Sequence, residues 1–338
     1  MDKVTTTEQD DAPDCPLLFG RVLVGRGGAR PIGWAEARHW QPADDREVLW
    51  LHIDRTIAGV RDWLQDAFGM SEPTAELLTS DDTRPRAFRE KQTLVATLRT
   101  VNFNPGADPE DMVSMQLWSD GRRLLTLRRH PLQSPRKVLA QLDGSTEGPD
   151  DAGSLITQLV EHMIQRMNRT VIDMNEQIDA LFAIECDNSN INDVLTRISA
   201  IRRDCLALKR HMGPEHVALE AISREAPPWF EDHDRREMVE SLALLRRFLD
   251  DIDVSKESAV VLMDELRGRA VSRTERTNRL LTVVSTVFLP LTFLTGLIGM
   301  NVAGIPSADH PNAFWVVVGI CGAILVVQLI LFHRWRWL

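Results

Sequence analysis

An uncharged segment near the end of the chain carries a regular series of small and polar residues that could handle ions. Residues 280–300 include no Asp, Glu, Lys or Arg, and the series recurs at alternating spacings of four and three. Its members are Asn278, Thr282, Ser285, Leu289, Thr292, Gly296 and Gly299, all of them small or polar except Leu289. Residues at this spacing share one face of a helix. Two interpretations remain for that face: small residues that let helices pack closely, or the polar lining of a pore.

Carboxylates extend the same face toward the N-terminus. They are Glu275, Asp264, Glu257 and Asp250. If several copies of the chain surround one axis, each carboxylate becomes part of a ring of negative charge that concentrates cations. A solvated helix face explains these acids equally well, so they indicate a cation pathway only together with the uncharged series.

Two segments are apolar enough to cross a membrane. Residues 280–300 and 313–332 each provide about twenty uncharged residues, the length that spans hydrocarbon. Arginine is frequent just before the first segment and just after the second, whereas the loop 301–312 has no Lys or Arg. Both termini are therefore expected in the cytoplasm, and the two spans are expected in a bacterial-type inner membrane. The expected interfacial anchors are Trp315, Trp335 and Trp337.

The first 150 residues are expected to form a cytoplasmic α+β domain. Strands are predicted at 48–54, 93–103, 112–119 and 122–129, and helices at 58–68 and 135–142. The sheet is expected to be mostly antiparallel, a meander with flanking helices. The glycine-rich stretch 25–33 has no following Gly-Lys-Ser/Thr and is predicted to be a plain loop rather than a phosphate loop.

Very long stalk helices are expected between this domain and the membrane, after a linker at 143–154. Residues 155–212 contain no proline and predict one long helix or a helical hairpin. Prolines 214, 227 and 228 are expected to end it, and a further helix is predicted from 229 to at least 289, roughly 100 Å long if continued to Gly299. The predicted organisation is a domain at 1–150, a stalk at 151–279 and a membrane domain at 280–338, with the cytoplasmic tail at 333–338.

Composition excludes several classes of function. A formal net charge of −10 argues against a general nucleic-acid binder. The four cysteines form no Cys-x-x-Cys pair and are expected to be reduced, and the N-terminus lacks the pattern of a secretory leader. No nucleophile elbow, His-Glu-x-x-His motif or P-loop is present, so we expect neither an enzyme nor a bound cofactor.

The turn that ends the first span carries a family resemblance. Gly299, Met300 and Asn301 follow the stretch FLPLTFLTGLI, and two C-terminal spans and a basic, Trp-bearing tail complete the pattern. In this the sequence resembles the CorA superfamily of divalent cation transporters. The stretch NFNPGADPEDMVSMQLW and the Asn-x-x-Gly-Ile-Pro turn are most similar to its ZntB zinc transporter branch.

The resemblance implies a funnel-shaped homopentamer with the first span around a central pore. It implies that Asn301 is the filter at the outer mouth, Thr292 a polar ring below it, and Asp264 a cation site near the inner mouth. Leu281 and Leu289 are the implied hydrophobic constriction. Independently of the family, a ring of Asn carboxamides and Gly299 carbonyls offers neutral oxygens that can bind the water shell of a dication without stripping it.

The identity of the ion stays open between Zn²⁺, which the branch resemblance favours, and Mg²⁺, with Co²⁺ or Ni²⁺ tolerated. Zinc prefers His and Cys ligands, and the proposed filter offers only oxygen. Proton coupling is implied by the resemblance alone. A rival of another class is a membrane-anchored structural or signalling protein. Further metal ligands are hypothesised at Asp309 with His310, at Asp232 with His233 and Asp234, and at His211 with His216.

Overall fold

The computed structural model describes residues 15–25, 27–102, 104, 106, 112–144, 148–184, 190–300 and 312–334. The chain divides into two compact units. One unit contains Met1–Glu185 and Asn192–Leu262, and the other contains Cys186–Ile191 and Met263–Leu338. The domain boundaries expected at residues 150 and 279 stay a prediction.

A seven-stranded mixed sheet forms the centre of the first unit. Its strands are β1 (Leu17–Leu23), β2 (Ala29–Pro31), β3 (Val48–Asp54), β4 (Arg86–Glu90), β5 (Thr93–Val101), β6 (Met112–Ser119) and β7 (Arg123–Arg128). They are arranged in the order β2-β1-β3-β7-β6-β5-β4. Every neighbouring pair is antiparallel except β3 and β7, which run parallel with Trp50 opposite Leu124.

Parts of the predicted sheet are confirmed and parts are wrong. The strands predicted at 48–54 and 112–119 have those bounds in the structure. A simple meander is wrong, because β3 skips β4 to β6 in the sequence and pairs in parallel with β7. The stretch 25–33 is only partly a loop, because its residues Ala29–Pro31 form β2 as the return strand of a hairpin with β1.

Two short helices cover one face of the sheet. They are α2 (Val60–Phe68) and α3 (Glu72–Thr79), preceded by a single turn, α1 (Trp34–Ala37). Alternate residues of β3 point toward them, so Leu49, Leu51 and Ile53 share a core with Leu64 and Leu78. The other face of β3 is buried as well, at Val48, Trp50 and His52, so the strand lies inside the core on both sides.

Long helices follow the sheet, after α4 (Gln133–Gly144). The region 155–212 is a helical hairpin, with α5 at Ala152–Phe182 and α6 at Ile191–Arg224. Asp151 caps α5 and exchanges hydrogen bonds with Ser154 in a capping box. The expected break at Pro214 is wrong, because α6 continues through it. Pro214 is exposed, so water can bind the carbonyl that its missing N–H leaves free.

Two helices complete the chain and match the two predicted spans. The first, α7, runs from Asp232 to Ile298, and the second, α8, from Ala313 to Arg334. Both contain stretches long and apolar enough to cross a membrane, with mean hydropathies of 2.0 and 2.7. The helix expected from residue 229 is therefore confirmed as one continuous element.

Candidate functional site

The predicted series of small and polar residues lies along the last part of α7. Asn278, Thr282, Ser285, Thr292 and Gly296 are all exposed in the single chain. Leu289, in the middle of the series, is 74% exposed, although it is a large apolar residue. An apolar side chain this exposed requires a partner chain, a lipid or a narrow constriction around it.

The opposite side of this part of α7 packs against α8. Half-buried residues recur on α7 at Val283, Val287, Leu291 and Leu294. On α8 the covered face contains Val317, Cys321, Ile324, Gln328 and Phe332. The two faces meet at a hydrogen bond, in which the Nε2 of Gln328 donates to the backbone carbonyl of Thr286 at 3.0 Å.

The polar series points away from α8. At 3.6 residues per turn, the mean direction of Ser285, Leu289, Thr292 and Gly296 is about 180° from that of the four half-buried α7 residues. The small residues therefore do not serve the packing of the two spans of one chain. The remaining choices for this face are contact with other copies of the chain, with water or with lipid.

A proline in α7 explains the hydrogen bond from Gln328. Pro290 has no N–H, so it cannot bond the carbonyl four residues earlier, which belongs to Thr286. In hydrocarbon an unpaired carbonyl costs several kcal/mol, because no water reaches it. Gln328 satisfies this carbonyl. The sequence contained the signal, since Gln328 is the only amide side chain within residues 313–332, but its role was missed.

The hydroxyl of Thr282 has a defined orientation. Its Oγ1 donates to the backbone carbonyl of Asn278 at 2.8 Å. Because the hydroxyl proton is used within the helix, the oxygen presents lone pairs to the exposed side. A helix face with such oxygens accepts hydrogen bonds from water, including the water shell of a cation.

The acids of the extended series are exposed on α7. Asp264 and Glu275 lie in the second unit, and Asp250 and Glu257 lie in the first. A neighbouring acid, Glu265, is instead neutralised within the helix by Arg269 at 2.5 Å. Exposed carboxylates at these positions remain available to cations.

Several predicted site residues lie outside the described part of the chain. They are Asn301, Asp309, His310, Trp335 and Trp337. Gly299 follows Ile298, the last residue of α7, and its N–H donates to the carbonyl of Thr295 at 2.9 Å; Met300 comes next with 48% exposure. The structure thus brings the described members of the series to one face and ends that face at the Gly-Met pair.

Of the other hypothesised metal ligands, one group is brought together. Ligand atoms of His233 and Asp234 lie within 4.8 Å of one another and of Asp151, whereas Asp232 is not in the cluster. Asp234 accepts the N–H of Glu231 at 2.9 Å, and burial, followed by the charge of Asp151, raises its pKa to about 6. Helix capping by Asp151 and Asp234 accounts for these positions, so a regulatory metal there stays a prediction.

The other histidine pair is not arranged as a chelate. His211 and His216 are five residues apart on α6, which places them about 140° apart around the helix. His211 lies instead beside Arg99, with 3.3 Å between its Nδ1 and the guanidinium Nη1.

Comparison with known proteins identifies the family. The family described as CorA-like Mg²⁺ transporter protein matches residues 45–334. The chain belongs to this family. The resemblance expected from the Gly-Met-Asn turn is confirmed.

Two curated relatives and one solved structure are similar to this CorA-family chain over most of its length. The divalent cation transporter CmaX of Pseudomonas aeruginosa is 33% identical over 323 residues, which cover 95% of this chain and 97% of CmaX. The zinc transport protein ZntB of Pectobacterium atrosepticum is 29% identical over 296 residues, 87% of each chain. The structure of full-length CmaX superposes with a TM-score of 0.83 at 32% identity, covering 97% of this chain and all of that one.

Proposed function

We propose that this CorA-family protein carries a divalent metal cation, with Zn²⁺ preferred, through a pore at the centre of a homo-oligomer. The observation that carries the proposal is the placement of the polar face of α7 about 180° from the face that packs on α8. Two helices cannot enclose a pore, so several copies must supply this face to one axis. The names of the relatives CmaX and ZntB support the class of cargo.

The proposed pathway uses oxygen atoms that bind a hydrated ion. Asn301 and the Gly299 carbonyl form the filter at the outer mouth, next to Met300, and Thr292 forms a ring below it. Gly296, Ser285, Thr282 and Asn278 line the pathway toward the cytoplasm. Such neutral oxygens hydrogen-bond the water around the ion, which avoids the cost of complete dehydration.

The remaining residues of the proposed pathway control and attract the ion. Leu289, together with Leu281 about two turns nearer the cytoplasm, forms a hydrophobic constriction that closes by excluding water. Asp264 lies near the inner mouth, where a ring of carboxylates concentrates cations. The assembly is proposed to be a pentamer with both termini in the cytoplasm, coupled to protons.

Cysteine scanning tests which face of α7 is wet. In a chain whose four native cysteines are replaced, Ser285→Cys and Thr292→Cys should be labelled by a charged thiol reagent, and labelling should stop metal flux into proteoliposomes. Val284→Cys is the matched control, because this exposed position lies about 110° from the centre of the polar face, and it should stay unlabelled. Labelling of Val284→Cys alone, or full flux after labelling of Ser285→Cys, would refute the pore assignment.

The filter assignment is tested separately. Asn301→Ala should abolish flux while leaving the oligomer intact on size-exclusion chromatography. Unchanged flux would show that the ion does not pass the Asn301 carboxamides.

A magnesium transporter is the second candidate, because the family description names Mg²⁺. The two are separated by flux of Zn²⁺ into proteoliposomes with excess Mg²⁺ outside, with and without a proton gradient. A zinc transporter keeps its Zn²⁺ flux under a hundredfold excess of Mg²⁺, and a magnesium channel loses it.

A further inference from the structure

A basic cavity lies in the first unit, between the first turns of α4 and the middle of α5. Its volume is about 610 Å³, within the usual range for small-molecule sites. Four of its lining side chains are cations: Arg136, Lys137, Arg166 and Arg169. The described lining includes no Asp or Glu. In a chain with a net charge of −10, such a concentration of positive charge needs an explanation.

The cations that line this cavity repel one another. Burial lowers the pKa of Arg166, and the charge of Arg169 lowers it further. Burial and then Lys137 lower the pKa of His162, which is 6% exposed beneath the cavity. A neutral His162 is therefore the form that this group of cations favours.

His162 holds Lys137 in a defined direction. Its Nδ1 lies 3.3 Å from the Nζ of Lys137, and its Nε2 lies 3.0 Å from the Oε1 of Gln141. Since the amide oxygen can only accept, Nε2 carries the proton and Nδ1 accepts from the ammonium. The ammonium uses one of its three donors on the histidine, and two remain for a ligand.

The start of α4 adds a second, independent source of positive potential. The first turn contains Arg136 and no acidic residue, although helix N-termini favour anions and disfavour cations. An anion at this end of α4 would interact favourably with the helix dipole and would reduce the repulsion between the cations.

We propose that this cavity binds a small molecule with a polyphosphate group, such as a nucleoside di- or triphosphate. Arginine forks bind phosphate oxygens in pairs, and four cations match the charge of a triphosphate. The remaining volume accommodates the organic part of the ligand. This site is independent of the proposed pore.

The test is calorimetric titration of the full-length protein in detergent, in metal-depleted buffer so that the cation pathway contributes nothing. The probes are ATP, tripolyphosphate, orthophosphate and adenosine. ATP and tripolyphosphate should bind at least tenfold more tightly than orthophosphate, and adenosine should not bind. Glycerol phosphate represents a lipid headgroup and should bind no more tightly than orthophosphate.

Variants locate the binding. The double variant Arg136→Gln/Arg169→Gln should weaken ATP binding at least thirtyfold, and Arg210→Gln, an exposed arginine on α6, should change it less than twofold. Arg136→Lys/Arg169→Lys keeps the charge and should lose less than tenfold, which separates recognition from misfolding. The proposal is overturned if ATP and tripolyphosphate bind no better than adenosine, if glycerol phosphate binds most tightly, or if the Gln double variant binds as the wild type does.

Discussion

The hydrogen bond between Gln328 and Thr286 provides a quantitative test of how the two spans are joined. Gln328→Leu keeps the approximate size of the side chain and removes the donor that lies 3.0 Å from the Thr286 carbonyl. Pro290 cannot replace it, since it has no N–H. A buried acceptor left unsatisfied costs about 1–3 kcal/mol, and the upper part of that range applies where water is excluded.

A second substitution makes the reasoning specific. Pro290→Ala returns an N–H that can bond Thr286 within α7, so the carbonyl no longer depends on α8. In this background Gln328→Leu should cost less than about 0.5 kcal/mol, because the acceptor stays satisfied. The expected coupling energy between the two positions is therefore about 2 kcal/mol.

The assay is denaturant unfolding of the four proteins of this cycle in lipid bicelles, followed by tryptophan fluorescence. Val327→Leu, an exposed neighbour on α8, is the control for substitutions on that helix. Equal costs of Gln328→Leu in the wild-type and Pro290→Ala backgrounds would refute the link between the proline and the glutamine.

Three further predictions concern the first unit. Burial raises the pKa of Glu215 from 4.5 to about 8, so the free energy of unfolding falls by about 5 kcal/mol as the pH rises from 4.5 to 8. Glu215→Gln should remove the resulting fall in melting temperature between pH 5 and 8.5, whereas Glu220→Gln, at an exposed position, should not. Burial, followed by the charge of a nearby arginine, lowers the pKa of His52 to about 3. The contribution of neutral His52 to the free energy of unfolding is therefore present above pH 6.5 and is lost as the pH falls. The stability of His52→Gln should accordingly approach or exceed that of the wild type between pH 6.5 and 4.5, a relative change of about 3 kcal/mol that melting curves can measure. Gly121→Ala should cost about 2–4 kcal/mol in thermal unfolding, because φ at this position is +91° and an added Cβ would lie 2.6 Å from a tryptophan ring. Gly213→Ala is the control: this position lies inside α6 with open space around it, so the substitution should stabilise the protein by about 0.5–1 kcal/mol.

The strands that could be predicted from the sequence are the ones with strong local patterns. Runs of apolar and β-branched residues mark β3 and β6, whose bounds were predicted without error. Three strands were missed: the interior strand β1, and the edge strands β2 and β4, which are short and contain prolines or charges, as edge strands do. The parallel pairing of β3 with β7 depends on residues far apart in the chain, and no local pattern encodes it.

For the candidate site, the polar series could be predicted but its surroundings could not. The spacing of Ser285, Leu289 and Thr292 defines a face of α7 without reference to anything else. The sequence does not show which face of α7 is covered by α8, because α8 is apolar nearly all round. Pro290 and Gln328 together determine the answer, and that pair becomes evident only once both helices are placed side by side.

The basic cavity also could not be predicted from the sequence. Arg136 and Lys137 lie on α4 whereas Arg166 and Arg169 lie on α5, and the charge of the whole chain is negative. Averages over the chain conceal a local excess of cations, which appears only when two helices bring them to one cavity.

The single parallel pairing in the sheet also sets an order of events during synthesis. Residues 17–54 and 86–128 each make a small sheet from neighbouring strands, whereas the junction of β3 with β7 joins residues such as His52 and Thr126, which are 74 positions apart. While the nascent chain leaves the ribosome, the outer edge of β3 stays unpaired until β7 has been translated. That interval is when this domain is most exposed to aggregation, and substitutions at the junction should reduce the yield of folded protein more than equal substitutions within either half.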